Sequence, residues 1–207
     1  MGDPNPVYVN MKGLEQHRFD AIVVGSGISG GWAAKELCEK GLKTLVVERG
    51  KNVVHVKDYT TAFTAPWQFP HGLNNTIAEI RDNPVTSYKF NPGNNAFFVR
   101  DKDHPYIQDD PFQWIRGYQV GGRSLTWGRQ CYRLSDLDFE ANMKDGHGVD
   151  WPIRYRDIEP WYDYVEDFAG ISGRPEGLSH LPDGKFLPPI EMNCIEAHFA
   201  NGVHSNY

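Results

Sequence analysis

Six consecutive residues, Gly25-Ser26-Gly27-Ile28-Ser29-Gly30, carry the clearest chemistry in this chain. Gly25 permits a tight turn out of a preceding strand. Gly27, without a Cβ, lets a pyrophosphate approach the backbone. Gly30 lets a helix pack close to that strand. Free N–H groups and the positive dipole end at the helix start then face the diphosphate. Ala34 and Gly41 continue the pattern: the small residue seats the helix on a sheet, and Gly41 turns the chain back. Glu48 follows about 20 residues past the glycines, where a carboxylate accepts ribose hydroxyls and repels a 2′-phosphate, so NADP is disfavoured. NAD and FAD both bring an ADP half, and this motif is compatible with either.

A second cluster reads Val120-Gly121-Gly122-Arg123-Ser124-Leu125-Thr126-Trp127-Gly128. Paired glycines and small hydroxyl residues give a backbone that can press on a flat ring system, with N–H groups at its polar edge. Trp127 could wall such a site. From composition alone, a Gly-rich hairpin with a core tryptophan is an equal reading.

These residues need elements to position them. Phe19–Val24 predicts a short buried strand, 29–40 a helix stopped at Gly41, and 43–48 a second strand. Strand, helix and strand within about 30 residues make a βαβ unit with a parallel pair. Residues 1–18 read as a polar arm. Residues 51–111 lose periodicity, with scattered prolines and a short helix over 76–81, and read as a covering insertion. A short strand is expected at 112–116, and helices at 137–144 and 158–168. Trp161, Tyr164, Val165 and Phe168 form one stripe of the latter, expected to pack as core, and Trp151 is expected to anchor the approach to it. Aromatic residues make up 13% of the chain, which suits irregular segments pinned by rings.

The net charge of -6 argues against a nucleic-acid or anionic-membrane partner. Cys38, Cys131 and Cys194 lack the spacing of a disulfide framework or zinc site. There is no run long enough for a membrane span and no basic-then-apolar leader, so the cytoplasm is the default compartment. None of the eight histidines is a good general-base candidate. His147 reads as a loop residue, and His198 and His204 match no metal spacing.

Gly25–Gly30 with Glu48-Arg49-Gly50, then Val120–Gly128, then Asp150-Trp151-Pro152-Ile153 and Trp161-Tyr162 with Glu166 resemble the glucose-methanol-choline (GMC) oxidoreductases. The match is nearest to the bacterial branch of gluconate, fructose and glucoside 3-dehydrogenase large subunits, near pyranose oxidase. It covers Phe19 to about Gly173. The resemblance implies an α/β, Rossmann-like FAD-binding domain with a doubly wound parallel sheet, incomplete here and interrupted by long irregular insertions. It implies domains at 19–173 (with the 51–111 insertion) and from 174–207, the latter the start of a substrate-domain region. It places the ADP part of FAD on Gly25, Gly27, Ile28, Ser29, Gly30, Glu48 and Arg49. It places the isoalloxazine and diphosphate link near Gly121, Gly122, Ser124, Thr126, Trp127 and Gly128. Thr126 stands where pyranose oxidase carries a flavin-linked histidine, so a non-covalent flavin is expected.

The implied reaction is oxidation of a sugar or alcohol CH–OH group by hydride transfer to flavin N5. The family's catalytic histidine pair is expected beyond Tyr207, so the chain reads as an N-terminal fragment, inactive alone. A small subunit and a cytochrome c acceptor are implied partners, with partner-dependent export to the periplasm. An NAD-dependent Rossmann dehydrogenase is the first alternative, but it leaves the second glycine cluster unexplained. A non-catalytic nucleotide-binding remnant is the other.

Overall fold

The computed structural model describes residues 18–84 and 86–207; the expected arm at 1–18 lies outside them but for Arg18. The chain divides into two units, Met1–Gly128 and Arg129–Tyr207.

The first unit is built on β1 (Ala21–Val24), α1 (Ile28–Glu39) and β2 (Thr44–Val47). β1 and β2 pair in parallel, with Val23 opposite Val46, which is the expected βαβ arrangement. Gly41 adopts φ +80°, and its N–H donates to the Cys38 carbonyl at 2.9 Å while Leu42 N–H reaches Leu37 at 3.0 Å. These bonds close the end of α1 and send the chain back to β2. The Asp20 carboxylate accepts from the Lys43 amide at 2.7 Å and ties the two strand starts together.

Burial of β1 is less than the apolar run predicts. Val23 is buried, but Ile22 is 64% and Val24 83% exposed. Successive strand residues point to opposite faces. Val23 faces α1 at Gly30, and among the described residues nothing covers the other face to the same degree.

The insertion is irregular, as expected. Its 3₁₀ turns at Thr60–Phe63, Pro66–Gln68, Pro70–Leu73 and Asn95–Phe97 surround one helix, α2 (Ile77–Asp82). Thr76 caps α2, its hydroxyl accepting from Glu79 N–H while the Glu79 carboxylate accepts from Thr76 N–H. The expected strand at 112–116 does not form. Val99 N–H donates to the Arg116 carbonyl, without a strand ladder around it. Arg116 instead turns inward, ion-paired to Asp101 at 2.8 Å and set against the rings of Tyr106, Trp114 and Tyr118.

The second unit holds α3 (Asp136–Phe139), α4 (Ala141–Asp145), α5 (Tyr155–Ala169) and α6 (Cys194–Asn206). The single helix expected at 137–144 is thus two short ones meeting at Glu140. Trp151 sets its ring edge-on to the buried Phe139, at 6.0 Å between centroids. The core reading of the α5 stripe is overturned: Trp161 is 64% and Phe168 63% exposed. The buried position of α5 is Glu166, at 6%.

Arg133 explains that inversion. Its Nε and Nη2 donate to the two Glu166 oxygens at 2.9 and 2.6 Å, Nη2 also reaches Asp163 at 2.6 Å, and Nη1 donates to the Tyr155 hydroxyl at 2.8 Å. A buried guanidinium needs this many acceptors, and α5 rotates its acidic face to supply them. Lys185, then Arg133, hold the Asp163 carboxyl below its usual range. No helix among the described residues is long and apolar enough to cross a membrane.

Candidate dinucleotide site

The site begins where β1 ends. Gly25 turns the chain at φ +91°, a conformation that favours glycine, and its N–H donates to the Val47 carbonyl at 2.7 Å. A Cβ on Gly30 would overlap the Gly25 carbonyl oxygen, so α1 approaches β1 as closely as it does because residue 30 is bare. Gly27 is the opposite case. A Cβ there would meet nothing within 4 Å among the described residues, and Gly27 has no side chain with which to cap the first N–H groups of α1. Space and unsatisfied donors coincide at Ile28 and Ser29.

The second glycine cluster reaches this turn through the end of β2. Past Glu48, Lys51 forms a parallel bridge with Gln119: Lys51 N–H donates to Tyr118 O at 3.3 Å, and Val120 N–H to Lys51 O at 2.9 Å. A side chain on Gly50 would overlap the Gln119 backbone, so the crossing requires glycine. Gly121 and Gly122 then turn with φ +84° and +56° into a 3₁₀ turn, Gly122–Thr126. A Cβ on Gly122 would lie 3.3 Å from the Gly27 Cα, so the two bare turns stand against one another. Buried Gln119 fixes this turn, its side chain donating to Gly122 O at 3.1 Å.

Between the turns opens a cleft of about 340 Å³, with Gly27, Ile28, Ser29 and Gly30 on one side and Arg123 and Ser124 on the other. Ser124 Oγ donates to Gly121 O at 2.6 Å and Thr126 Oγ1 to Arg123 O at 3.2 Å, so both hydroxyls brace the turn. Trp127 is partly exposed at its end, and Gly128 lies at the end of the unit.

Glu48 sits at the C-terminal end of β2, beside the first turn. Its Oε2 accepts from Ser26 N–H at 2.7 Å and Ser26 Oγ at 2.6 Å, and its Oε1 from Gly50 N–H at 2.6 Å. Burial alone would push this carboxyl up. The bonds from the Ser26 hydroxyl and the Ser26, Gly50 and Arg49 amides outweigh it and hold the group below its usual range. Arg49 lays its guanidinium on the Tyr118 ring at 3.7 Å. Ser26 completes the arrangement, its Oγ accepting from Gly121 N–H at 3.0 Å.

The structure therefore gathers Gly25, Gly27, Ile28, Ser29, Gly30, Glu48, Gly121, Gly122 and Ser124 around one turn-and-cleft system. Arg49 stands beside it on Tyr118. Sequence reasoning missed Ser26, Gly50, Gln119 and Arg123. Two of them carried a signal: Ser26 is the one polar residue enclosed by the first glycine pair, and Gly50 closes Glu48-Arg49-Gly50.

A model of NAD(P)-binding Rossmann-like domains matches residues 23–87. The fructose dehydrogenase large subunit of Gluconobacter japonicus is 27% identical over 193 residues, covering 85% of this chain and 31% of that protein. The 2-methyl-1,2-propanediol dehydrogenase of Mycolicibacterium austroafricanum is 23% identical over 195 residues, covering 89% and 30%. The gluconate 2-dehydrogenase flavoprotein of Pantoea cypripedii is 26% identical over 171 residues, covering 77% and 26%. In sequence the chain resembles the GMC oxidoreductases. It spans about a third or less of the length of these similar proteins. Its Rossmann-like α/β unit is the one the family resemblance implies.

Proposed function

We propose that the first unit holds FAD in an oxidoreductase that oxidises a CH–OH group of a sugar or alcohol. The observation that carries this reading is the close stand of Gly122 on Gly27, with a cleft between their turns. In this reading the first bare turn approaches the pyrophosphate and the second meets the flat flavin ring, a use that a nicotinamide site does not give it. The residues present fit the group: open space above Gly27, uncapped N–H groups at Ile28 and Ser29, and a carboxylate at the end of β2.

In this reading the start of α1 receives the diphosphate. Glu48 orients the ribose through the acceptor capacity left on Oε1, Arg49 borders the ADP half, and the turn from Gly121 to Gly128 meets the flavin. Bound there, flavin supplies a hydride acceptor at N5. Thr126 offers no ring nitrogen for a covalent link, so the flavin dissociates. The relatives named for fructose and gluconate support a sugar substrate. The one named as a large subunit supports a small-subunit partner, and a cytochrome c acceptor belongs to the same proposal.

Titration of the purified protein with FAD and with NAD, followed by flavin and tryptophan fluorescence, tests this. FAD binding at least tenfold tighter than NAD is expected, with all flavin released by acid precipitation. Equal or tighter NAD binding would replace this reading with a nicotinamide dehydrogenase. Binding of neither would overturn a nucleotide site in this chain.

A further inference from the structure

We propose that Ser26 is a positioning residue that fixes Glu48 and the second glycine turn in one relation through a single hydroxyl. The proton of that hydroxyl has one use. Glu48, as a carboxylate, is an acceptor alone, so the 2.6 Å bond runs from Ser26 Oγ to Glu48 Oε2. The lone pairs of Oγ then face the Gly121 N–H at 3.0 Å. Gly121 N–H, Ser26 O–H and Glu48 thus form a directed chain ending on a negative charge, in which each bond polarises the next. The chain joins positions 22 and 95 residues away from Ser26 in sequence.

Ser26 does not line the cleft that its neighbours line. It acts through the groups it holds. Both of its donors, amide and hydroxyl, fall on Glu48 Oε2, while the Gly50 amide falls on Oε1 and the Arg49 amide also bonds the carboxylate. Each carboxylate oxygen accepts about two bonds, so the two Ser26 donors fill Oε2 and leave Oε1 as the oxygen that faces a ligand. Ser26 therefore selects which carboxylate oxygen faces a ligand. Alanine at this position would free the carboxylate to rotate and would leave Gly121 N–H without the partner that places its turn on Gly27.

This inference rests on the reading of Glu48 as the ribose acceptor, and the test separates the two. ADP and 2′-deoxy-ADP are titrated as competitors of FAD on wild type, Ser26→Ala, Ser26→Thr and Glu48→Gln. Wild type is expected to prefer ADP about tenfold, as for one charge-assisted hydrogen bond. Ser26→Ala should shrink that preference to about twofold and weaken FAD about tenfold, while Ser26→Thr, which keeps the hydroxyl, should restore both. The double variant Ser26→Ala/Glu48→Gln should bind FAD no more weakly than the poorer single variant. No preference for ADP in wild type would overturn the ribose role of Glu48. A full preference retained in Ser26→Ala, or losses that multiply in the double variant, would overturn the role of Ser26. A uniform loss for both competitors, uncorrected by threonine, would make Ser26 structural only.

Discussion

The two units solve the same problem in opposite ways. Buried or half-buried polar groups must be satisfied. Around Arg133 the chain satisfies them itself: Glu166, Asp163 and the Tyr155 hydroxyl surround the guanidinium, and Lys185 completes Asp163 at 2.8 Å. Around Gly27 the chain satisfies Glu48 and Gly121 but leaves the first turn of α1 facing a cleft. The contrast extends to helix starts. Asn193 caps α6 by accepting from Ile195 and Glu196 N–H, both at 3.0 Å, whereas α1 begins on a residue with no side chain. A closed polar cluster holds a fold. An open one beside a cavity has capacity for a ligand.

Removing one partner from the closed cluster should produce the largest effect. Arg133→Met leaves Glu166 as a buried charge without its counter-ion and should destabilise the second unit by about 3–5 kcal/mol in denaturant unfolding. The double variant Arg133→Met/Glu166→Leu removes both charges and should recover most of that loss. If the single and double variants were equally unstable, the cluster would matter for shape and not for charge.

The open turn should respond differently at two glycines three residues apart. Gly30→Ala drives a Cβ into the Gly25 carbonyl and should cost about 1–3 kcal/mol by forcing α1 off β1. Gly27→Ala enters open space at φ -64° and should change stability by no more than about 0.5 kcal/mol. Yet it fills the approach to the helix start, so FAD affinity should fall at least tenfold. Equal thermal shifts for the two variants would erase the distinction between a packing glycine and a ligand glycine.

The βαβ unit was legible in the sequence because its determinants are local. The apolar run, the glycine spacing and the stop at Gly41 each act within a few residues, and β1, α1 and β2 fall within one or two residues of the expected bounds. The α5 stripe was misread for the complementary reason. Periodicity at Trp161, Tyr164, Val165 and Phe168 reports an apolar face, but Arg133, some 30 residues earlier, decides which face turns inward. The strand expected at 112–116 failed similarly, since its apolar residues found no ladder and Arg116 took the interior. Helix α6 went unassigned in the 174–207 region although Asn193 and Glu196 spell a capping box, because the Gly/Pro-rich run before them masks it. At the site, glycines and Glu48 were readable, while the Ser26 link to Gly121 spans 95 residues and leaves no local mark.

Glu48 gives a smaller effect with a definite sign. Its carboxyl is held below its ordinary value of 4.5 by the Ser26 and Gly50 donors. A depressed folded value means stability that is present above the unfolded value and lost as pH falls through the folded one. Wild type should therefore exceed Glu48→Gln in unfolding free energy by a constant margin at neutral pH. The margin should close as pH drops below 4.5, and a margin that widened there would contradict the hydrogen-bonded carboxylate.

The smallest effect tests the helix starts themselves. Asn193→Ala removes the acceptor for two first-turn N–H groups of α6 and should cost about 0.5–2 kcal/mol, whereas Asn193→Gly, which lets water reach them, should cost only a few tenths. Glu196 bonds back to Asn193 N–H at 2.8 Å through a backbone atom that both variants keep, so neither loses the whole capping box. The glycine variant leaves the Ile195 and Glu196 N–H groups without a side-chain cap and open to solvent, as the first N–H groups of α1 are. If α6 tolerates that exchange as a glycine cap should, then lacking a side-chain cap costs α1 little. The open start at Gly27 is then compatible with a stable helix before any ligand arrives. Amide hydrogen exchange at Ile195 and Glu196 reads this directly: protection in Asn193→Gly should fall less than in Asn193→Ala, and the reverse order would mean that the uncapped start of α1 needs its ligand to hold.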